Sequence, residues 1–271
     1  MSMADQIAAQ LPYLRRYARA LTGSQTSGDA YVRATLEAAL ADRDLLDRIG
    51  EGRVALYRAF NRIWSTGHVE TAGANAGGGE GNGGGDVHEQ AAKERLLHVT
   101  PAHRQALLLT TLEDFTTGEA ATILGVSPEE VEAMVLQAID EIETETETDV
   151  LIIEDEPLIS MQLEGLVTDL GHRVIGTAAT RSQALEIFAE RPAGLVLADI
   201  QLADGSSGID AVEDLLKFGD LPVIFITAYP EKLLTGERPE PTYLVTKPFQ
   251  ESTVRAAISQ ALFFGSSRPL G

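Results

Sequence analysis

The chain has 271 residues and a mass of 29.0 kDa, 44% of them hydrophobic and 23% charged, which is enough apolar material for about two buried cores. Its 41 acidic against 21 basic residues leave a net charge of -20, which disfavours phosphate backbones and anionic bilayers, and the lack of cysteine removes disulfides, thiolate nucleophiles and Cys-ligated zinc. The opening MSMADQIAAQL has neither a basic leader nor a long apolar core, and no later run could span a bilayer, so the expectation is a cytoplasmic chain without a membrane partner.

Residues 1–66 read as a helical module. In LPYLRRYARAL, Leu11, Leu14, Tyr17, Ala18 and Leu21 recur at helical spacing, which predicts Arg15, Arg16 and Arg19 on the opposite, polar face. Tyr31, Ala34, Thr35 and Ala38 keep the same spacing, and so do Val54, Tyr57, Ala59 and Ile63 beyond Gly52. Residues 67–86 hold nine glycines and almost nothing to bury; they read as a flexible linker with a span of about 25 Å. Residues 87–143 form a second helical module. Thr100-Pro101 opens a helix through AHRQALLLTTLED, Thr116 to Glu119 fits a capping box, and Gly125 ends the short helix that follows. Ser127-Pro128-Glu129-Glu130 is a further capping box with proline at the first helical position, so the module closes on a helix-turn-helix pattern. Leu107, Leu108, Ile123 and Leu124 read as its core. Charge divides unevenly: 1–66 carries +2, 67–149 carries -14 and 150–271 carries -8.

After the polar seam ETETETD at 143–149 the period changes. VLIIED, RVIGTA, AGLVLADI, LPVIFITA and TYLVTKP are short apolar runs, each followed by helical spacing. The fold expected for the chain is therefore an all-α N-terminal part of two helical subdomains, followed over 149–271 by an α/β doubly wound domain with a five-stranded parallel sheet. In such sheets functional groups gather beyond the carboxyl ends of the strands. There the sequence puts Glu154 and Asp155 after the first run, Asp199 after the third, Thr227-Ala228 after the fourth and Lys247-Pro248 after the fifth. Three carboxylates at one edge repel one another unless a cation sits among them, and hard oxygen ligands suit Mg²⁺. A lysine and a threonine hydroxyl at the same edge can hold phosphoryl oxygens, which together meets the needs of an aspartyl phosphate.

This signature (E-D, then D-I-Q-L-A-D-G, T-A and K-P-F) resembles the receiver domain of bacterial response regulators over 149–265. The resemblance implies phosphorylation at Asp199, with Mg²⁺ held by Asp155, Asp199 and the backbone carbonyl of Gln201, and Glu154 acting through water. It further implies Thr227, Ala228 and Lys247 as phosphate-binding and switch positions, a cis peptide before Pro248, and a sensor histidine kinase or phosphotransferase as phosphodonor. Leu244 stands where receivers commonly carry Tyr or Phe; Tyr243 is one residue off and so points to the other face of its strand. Phe225 to Pro230 is similar to a receiver subgroup without that aromatic.

LPYLRRYARALTG resembles the start of region two of extracytoplasmic-function sigma factors, and 96–142 resembles their region four. Between Ser127 and Glu143 the would-be recognition helix carries six acids and no base, with Val131, Val135, Ile139 and Ile142 as its inward face. Such a helix would add repulsion in a major groove and release no counterions. The whole chain, sigma-like part first and receiver last, resembles the PhyR family of general stress response regulators. That implies partner switching: the unphosphorylated receiver hides the partner surface, phospho-Asp199 opens the protein, and the glycine tether lets the two helical modules close on an anti-sigma factor of NepR type, freeing the true sigma factor. The alternative is a response regulator whose sigma-like output binds promoter DNA directly; a third reading is a phosphate sink with a vestigial sigma-like part. Regulation rather than turnover is expected, hence no enzyme.

Overall fold

The structure, a computed structural model, describes residues 3–73, 101–143, 146–202, 205–219, 221–230 and 241–266. The chain falls into two compact units, 1–134 and 135–271. No helix among the described residues is long and apolar enough to cross a membrane.

The first unit is helical: α1 Met3–Thr22, α2 Gln25–Ala41, α3 Arg43–Ile49, α4 Arg53–Gly73, α5 Ala102–Thr111, α6 Thr117–Leu124, and α7 Pro128–Glu143, which runs across the division between the units. Local chemistry sets the breaks. Asp42 ends α2 and caps α3, its Oδ1 accepting from the Asp44 and Leu45 amides. Thr116 and Glu119 form the reciprocal box that opens α6, and Gly125 closes it at φ 74. Ser127 and Glu130 repeat the box at α7, with the Ser127 N–H donating to Glu130 at 2.7 Å and the Glu130 N–H to Ser127 Oγ at 3.2 Å. Leu107, Leu108 and Ile123 are buried, and Leu124 is half-buried.

Two expectations change here. Helix α4 continues to Gly73, past the expected end of its module at 66, because extending a formed helix fixes one residue per hydrogen bond whereas starting one fixes several. The rest of the glycine segment lies outside the described residues, as do 87–100 and, in the ETETETD seam, 144–145. The arginines of α1 are not all on a polar face. Arg16 is 7% exposed and Arg19 fully buried, because each has a carboxylate to meet. Arg19 Nη2 lies 2.8 Å from Asp29 on α2, which also receives Arg15 at 3.0 Å, and Arg16 pairs with Glu113. Partial burial alone would push the Asp29 carboxyl up, but the hydrogen bonds from Arg19 and Arg15 outweigh it and hold the carboxyl below the usual range. Helices α1 and α2 approach so closely that a Cβ on Gly28 would stand 2.6 Å from the Arg19 amide nitrogen. Gly28→Ala is therefore expected to destabilise the chain by about 1–3 kcal/mol, since backbone rather than a pliable side chain must give way. A lowered denaturant midpoint at unchanged m is the measurement; an unaltered midpoint would contradict the close packing.

The second unit contains β1 Asp149–Ile153, α8 Pro157–Asp169, β2 Arg173–Ala178, α9 Arg181–Glu190, β3 Leu195–Ala198, α10 Gly208–Leu215 with a 3₁₀ turn Leu216–Phe218, β4 Val223–Thr227, β5 Tyr243–Thr246 and α11 Glu251–Ser266. The strands form one sheet in the order β2-β1-β3-β4-β5, every pair parallel. Leu151, Ile153, Val196, Ala198, Phe225 and Leu244 pack on one face with Ala184 of α9 and Val212 and Leu215 of α10. Helices α8 and α11 cover the other face. Burial on both faces is why the strands read as unbroken apolar runs rather than as alternation. Strand β1 lies between β2 and β3, so the connections leave it in opposite directions and open a crevice at its carboxyl end.

Candidate functional site

The crevice holds the carboxylates expected there. Glu154 and Asp155 follow β1, where the Glu154 N–H donates to the Ala178 carbonyl at 2.8 Å, and Asp199 follows β3, its N–H donating to the Ile153 carbonyl at 2.8 Å. Ladder hydrogen bonds thus carry past the strand ends and fix both backbones. Carboxylate oxygens of Glu154, Asp155 and Asp199 all lie within 4.8 Å of one another. Lys247, just past β5, sends its ammonium between two of them, 2.7 Å from Glu154 Oε2 and 2.6 Å from Asp199 Oδ2. Its own N–H donates to the Thr227 carbonyl at 2.8 Å, which ties the lysine to the end of β4. The Lys247–Pro248 peptide is cis.

Burial sets the electrostatics. It pushes the Glu154 carboxyl up, a shift that the hydrogen bond from Lys247 only partly offsets. Burial alone would pull Lys247 down, but its hydrogen bonds to Asp199 and Glu154 hold the ammonium above the ordinary lysine value. One ammonium cannot neutralise three carboxylates, and the donors are all hard oxygens. The cluster suits a small divalent cation.

The remaining expected residues stand at the same edge. Thr227 is fully buried at the end of β4, its Oγ1 accepting from the Tyr229 N–H at 3.1 Å, and Ala228 beside it is exposed. The Gln201 N–H donates to Asp199 Oδ1 at 3.3 Å, and Gln201 bridges to Ser207. On β5, Leu244 is buried among the residues facing α9 and α10, whereas the Tyr243 hydroxyl donates to the Gln260 carbonyl on α11 at 3.3 Å. The strand therefore sends the two to opposite faces, as their spacing requires.

Two contributors were not anticipated. Glu156 comes within 3.6 Å of the Lys247 ammonium, a third acid that the run Glu154-Asp155-Glu156 could have suggested. Gly208 starts α10 against Asp199 so tightly that a Cβ there would overlap the Asp199 carbonyl oxygen. The second glycine in DGSSG marks that close approach, a use of glycine that composition alone does not distinguish from a turn.

In the helix-turn-helix, Glu129, Glu130, Glu132 and Asp140 of α7 are exposed, and Glu141 is half-buried. The inward seam differs from expectation: Val131, Ala138 and Ile142 are buried, but Ile139 is 42% exposed and Leu136 68%. At about 100° per residue, Ile139 falls roughly 80° away from Val131 and leaves the seam, while Ala138 stays within it.

Comparison with known proteins covers the chain in three parts. Family models described as the Sigma2 domain of PhyR, the sigma-like domain of response regulator PhyR, and the response regulator receiver domain match residues 7–61, 96–145 and 150–259. The chain is 53% identical to the phyllosphere-induced regulator PhyR of Methylorubrum extorquens over 98% of its own length and 97% of that protein's. Among solved structures, the response regulator PhyR from Brucella abortus is 47% identical with a TM-score of 0.82, over 98% of this chain and 96% of that one. The anti-anti-sigma factor PhyR from Bartonella quintana is 46% identical with a TM-score of 0.82, over 98% and 97% of the two chains.

Proposed function

This chain belongs to the PhyR family of response regulators, and from that premise we propose that it is a phosphorylation-activated anti-anti-sigma factor whose sigma-like part sequesters an anti-sigma factor of NepR type. It acts by binding proteins. The observation that carries the reading is the pairing, in one chain, of a phosphoacceptor geometry at Asp199 with a sigma-like recognition helix whose exposed acids suit a protein partner and oppose DNA.

Asp199 is 8% exposed, so the edge of its carboxylate is presented while the rest is fixed. An oxygen of that carboxylate attacks the phosphorus of a phosphohistidine supplied by a kinase or phosphotransferase; the new O–P bond forms as the donor's P–N bond breaks, and the imidazole leaves with a proton. Lys247 then follows the charge from the carboxylate to a phosphoryl oxygen, and the Thr227 hydroxyl donates to another. Asp155, Asp199 and the Gln201 carbonyl would hold Mg²⁺, with Glu154 acting through water; when bound, the ion offsets the negative charge that gathers during transfer. Phosphorylation shifts the chain toward an open, partner-competent state by as much as the two states differ in their affinity for the modified aspartate and the partner.

The test is a titration of a purified NepR-type anti-sigma factor against wild type and Asp199→Ala, each with and without Mg²⁺ and a small phosphodonor. Wild type should gain about 5–150-fold in affinity on phosphorylation, the usual range of coupling between sites. Asp199→Ala should gain nothing. Equal affinity in all four arms would overturn the reading.

A further inference from the structure

The two halves of the sigma-like part meet at a buried charge. Glu113 ends the stretch after α5, and its side chain is fully buried. Its Oε1 accepts from Arg16 Nε on α1 at 3.0 Å, and its Oε2 accepts from Arg53 Nη2 and the Tyr57 hydroxyl on α4, both at 2.7 Å. Arg16 Nη2 donates in addition to the Leu112 carbonyl at 2.7 Å. Two residues on, Phe115 packs edge-on against Tyr57 with ring centres 4.9 Å apart and lies 4.2 Å beneath the Arg53 guanidinium. Asp114 between them is exposed and takes φ 52, so the chain swings outward at 114 and sends Glu113 and Phe115 inward together. A further bond runs from Asn61 Nδ2 on α4 to the Ile123 carbonyl on α6 at 3.3 Å.

Every one of these contacts joins residues 16–61 to residues 112–123. A buried carboxylate shared by two guanidiniums and a phenol is satisfied only while both halves are present. Parting them would break the hydrogen bonds to Glu113 and Leu112 together and lift Phe115 off Tyr57 and Arg53, so the losses fall as a set.

We propose that the Glu113–Phe115 turn is a fixed joint that seats the region-four-like half on the region-two-like half before any partner arrives. Glu113, Arg16 and Arg53 are then positioning residues: they hold the spacing of the partner surface. That surface is one prepared face, not two lobes brought together by a hinge in the glycine segment, and the expectation that the tether lets the modules close on a ligand gives way to it. The partner arm of the test below rests on the function proposed above; the joint itself does not.

Because the native chain has no cysteine, Glu37→Cys on α2 and Thr122→Cys on α6, both exposed sites, give specific spin-label positions in the full-length protein. Pulsed dipolar spectroscopy without partner should give one narrow distance distribution, unchanged when the NepR-type anti-sigma factor is added. Glu113→Gln keeps the shape but removes the charge; it should broaden the distribution and lower the affinity of the phosphorylated chain for that partner at least 10-fold. A general loss of stability would not do this at temperatures where circular dichroism shows the variant folded. Should Glu113→Gln fail to fold, Arg53→Met removes one arm of the joint, keeps the Arg16–Glu113 pair and is read by the same criteria. A broad distribution in partner-free wild type overturns the joint, as does a narrow one in the folded variant. A wild type that stays narrow but never binds the anti-sigma factor overturns the proposed function and leaves the joint standing.

Discussion

Lys247→Met will melt roughly 10 °C below wild type in the absence of divalent cations, and millimolar Mg²⁺ will recover much of the difference. Among the described residues the lysine is the one cation hydrogen-bonded to both Glu154 and Asp199, whose side chains are almost wholly out of solvent. Removing one member of a buried charge set costs about 3–5 kcal/mol because the remaining ions lose their compensation. For a domain of this size that corresponds to a midpoint shift on the order of 10 °C. A metal that binds only the folded cluster restores stability by mass action, about 2.7 kcal/mol at a hundredfold excess over its dissociation constant. Its pH dependence has a definite sign. Lys247 is held above the ordinary lysine value, so its stabilising effect is fully present below that ordinary value and is lost as pH rises through the raised one. The gap between wild type and variant should therefore persist at neutral pH and close under strongly alkaline conditions, as it also should in acid once the carboxylates that the lysine compensates are protonated. Thermal melts of both proteins with chelator and with Mg²⁺ decide the matter; coincident melts in chelator would mean that the lysine does not compensate the cluster.

The receiver half was readable because its signals are local. Each strand is a short apolar run, each chemical side chain falls just beyond one, and a doubly wound sheet brings those ends together whatever the intervening helices contain. The caps at Thr116 and Ser127 were readable for the same reason, since donor and acceptor lie three residues apart. What stayed hidden depends on partners remote in sequence. Helical periodicity places Arg16 and Arg19 on a polar face, and nothing near them reveals that Asp29 and Glu113 wait on other elements, the latter 97 residues away. Ile139 lies at four-residue steps along α7 from Val131 and so leaves the core, because the buried seam steps by seven, from Val131 to Ala138. Gly208 shows the limit from another side: its importance lies in the atom that it lacks, and only the neighbouring Asp199 carbonyl reveals it.

The phosphorylated full-length chain should not retard a promoter duplex at physiological salt, whereas Glu129→Lys, Glu130→Lys and Glu132→Lys together should create measurable, sequence-independent binding. The three glutamates are exposed on the first two turns of α7, the end that a recognition helix would present to base edges. Affinity for duplex DNA comes largely from counterions released when cations meet phosphates, and exposed carboxylates at that position oppose the exchange. Three lysines in their place can neutralise up to three phosphates, which predicts a plot of log affinity against log salt with a slope of roughly -3. Because Glu130→Lys also removes the side chain that caps Ser127, the comparison is made where circular dichroism shows the variant as helical as wild type: if the helix-turn-helix is shaped to approach DNA but carries the wrong charge, correcting the charge should uncover the approach. Sequence-selective retardation by the unaltered chain, weakening as salt rises, would instead favour direct promoter binding over capture of an anti-sigma factor. Failure of the lysine variant to bind at any salt would mean that the shape of α7, and not only its charge, has moved away from nucleic acid.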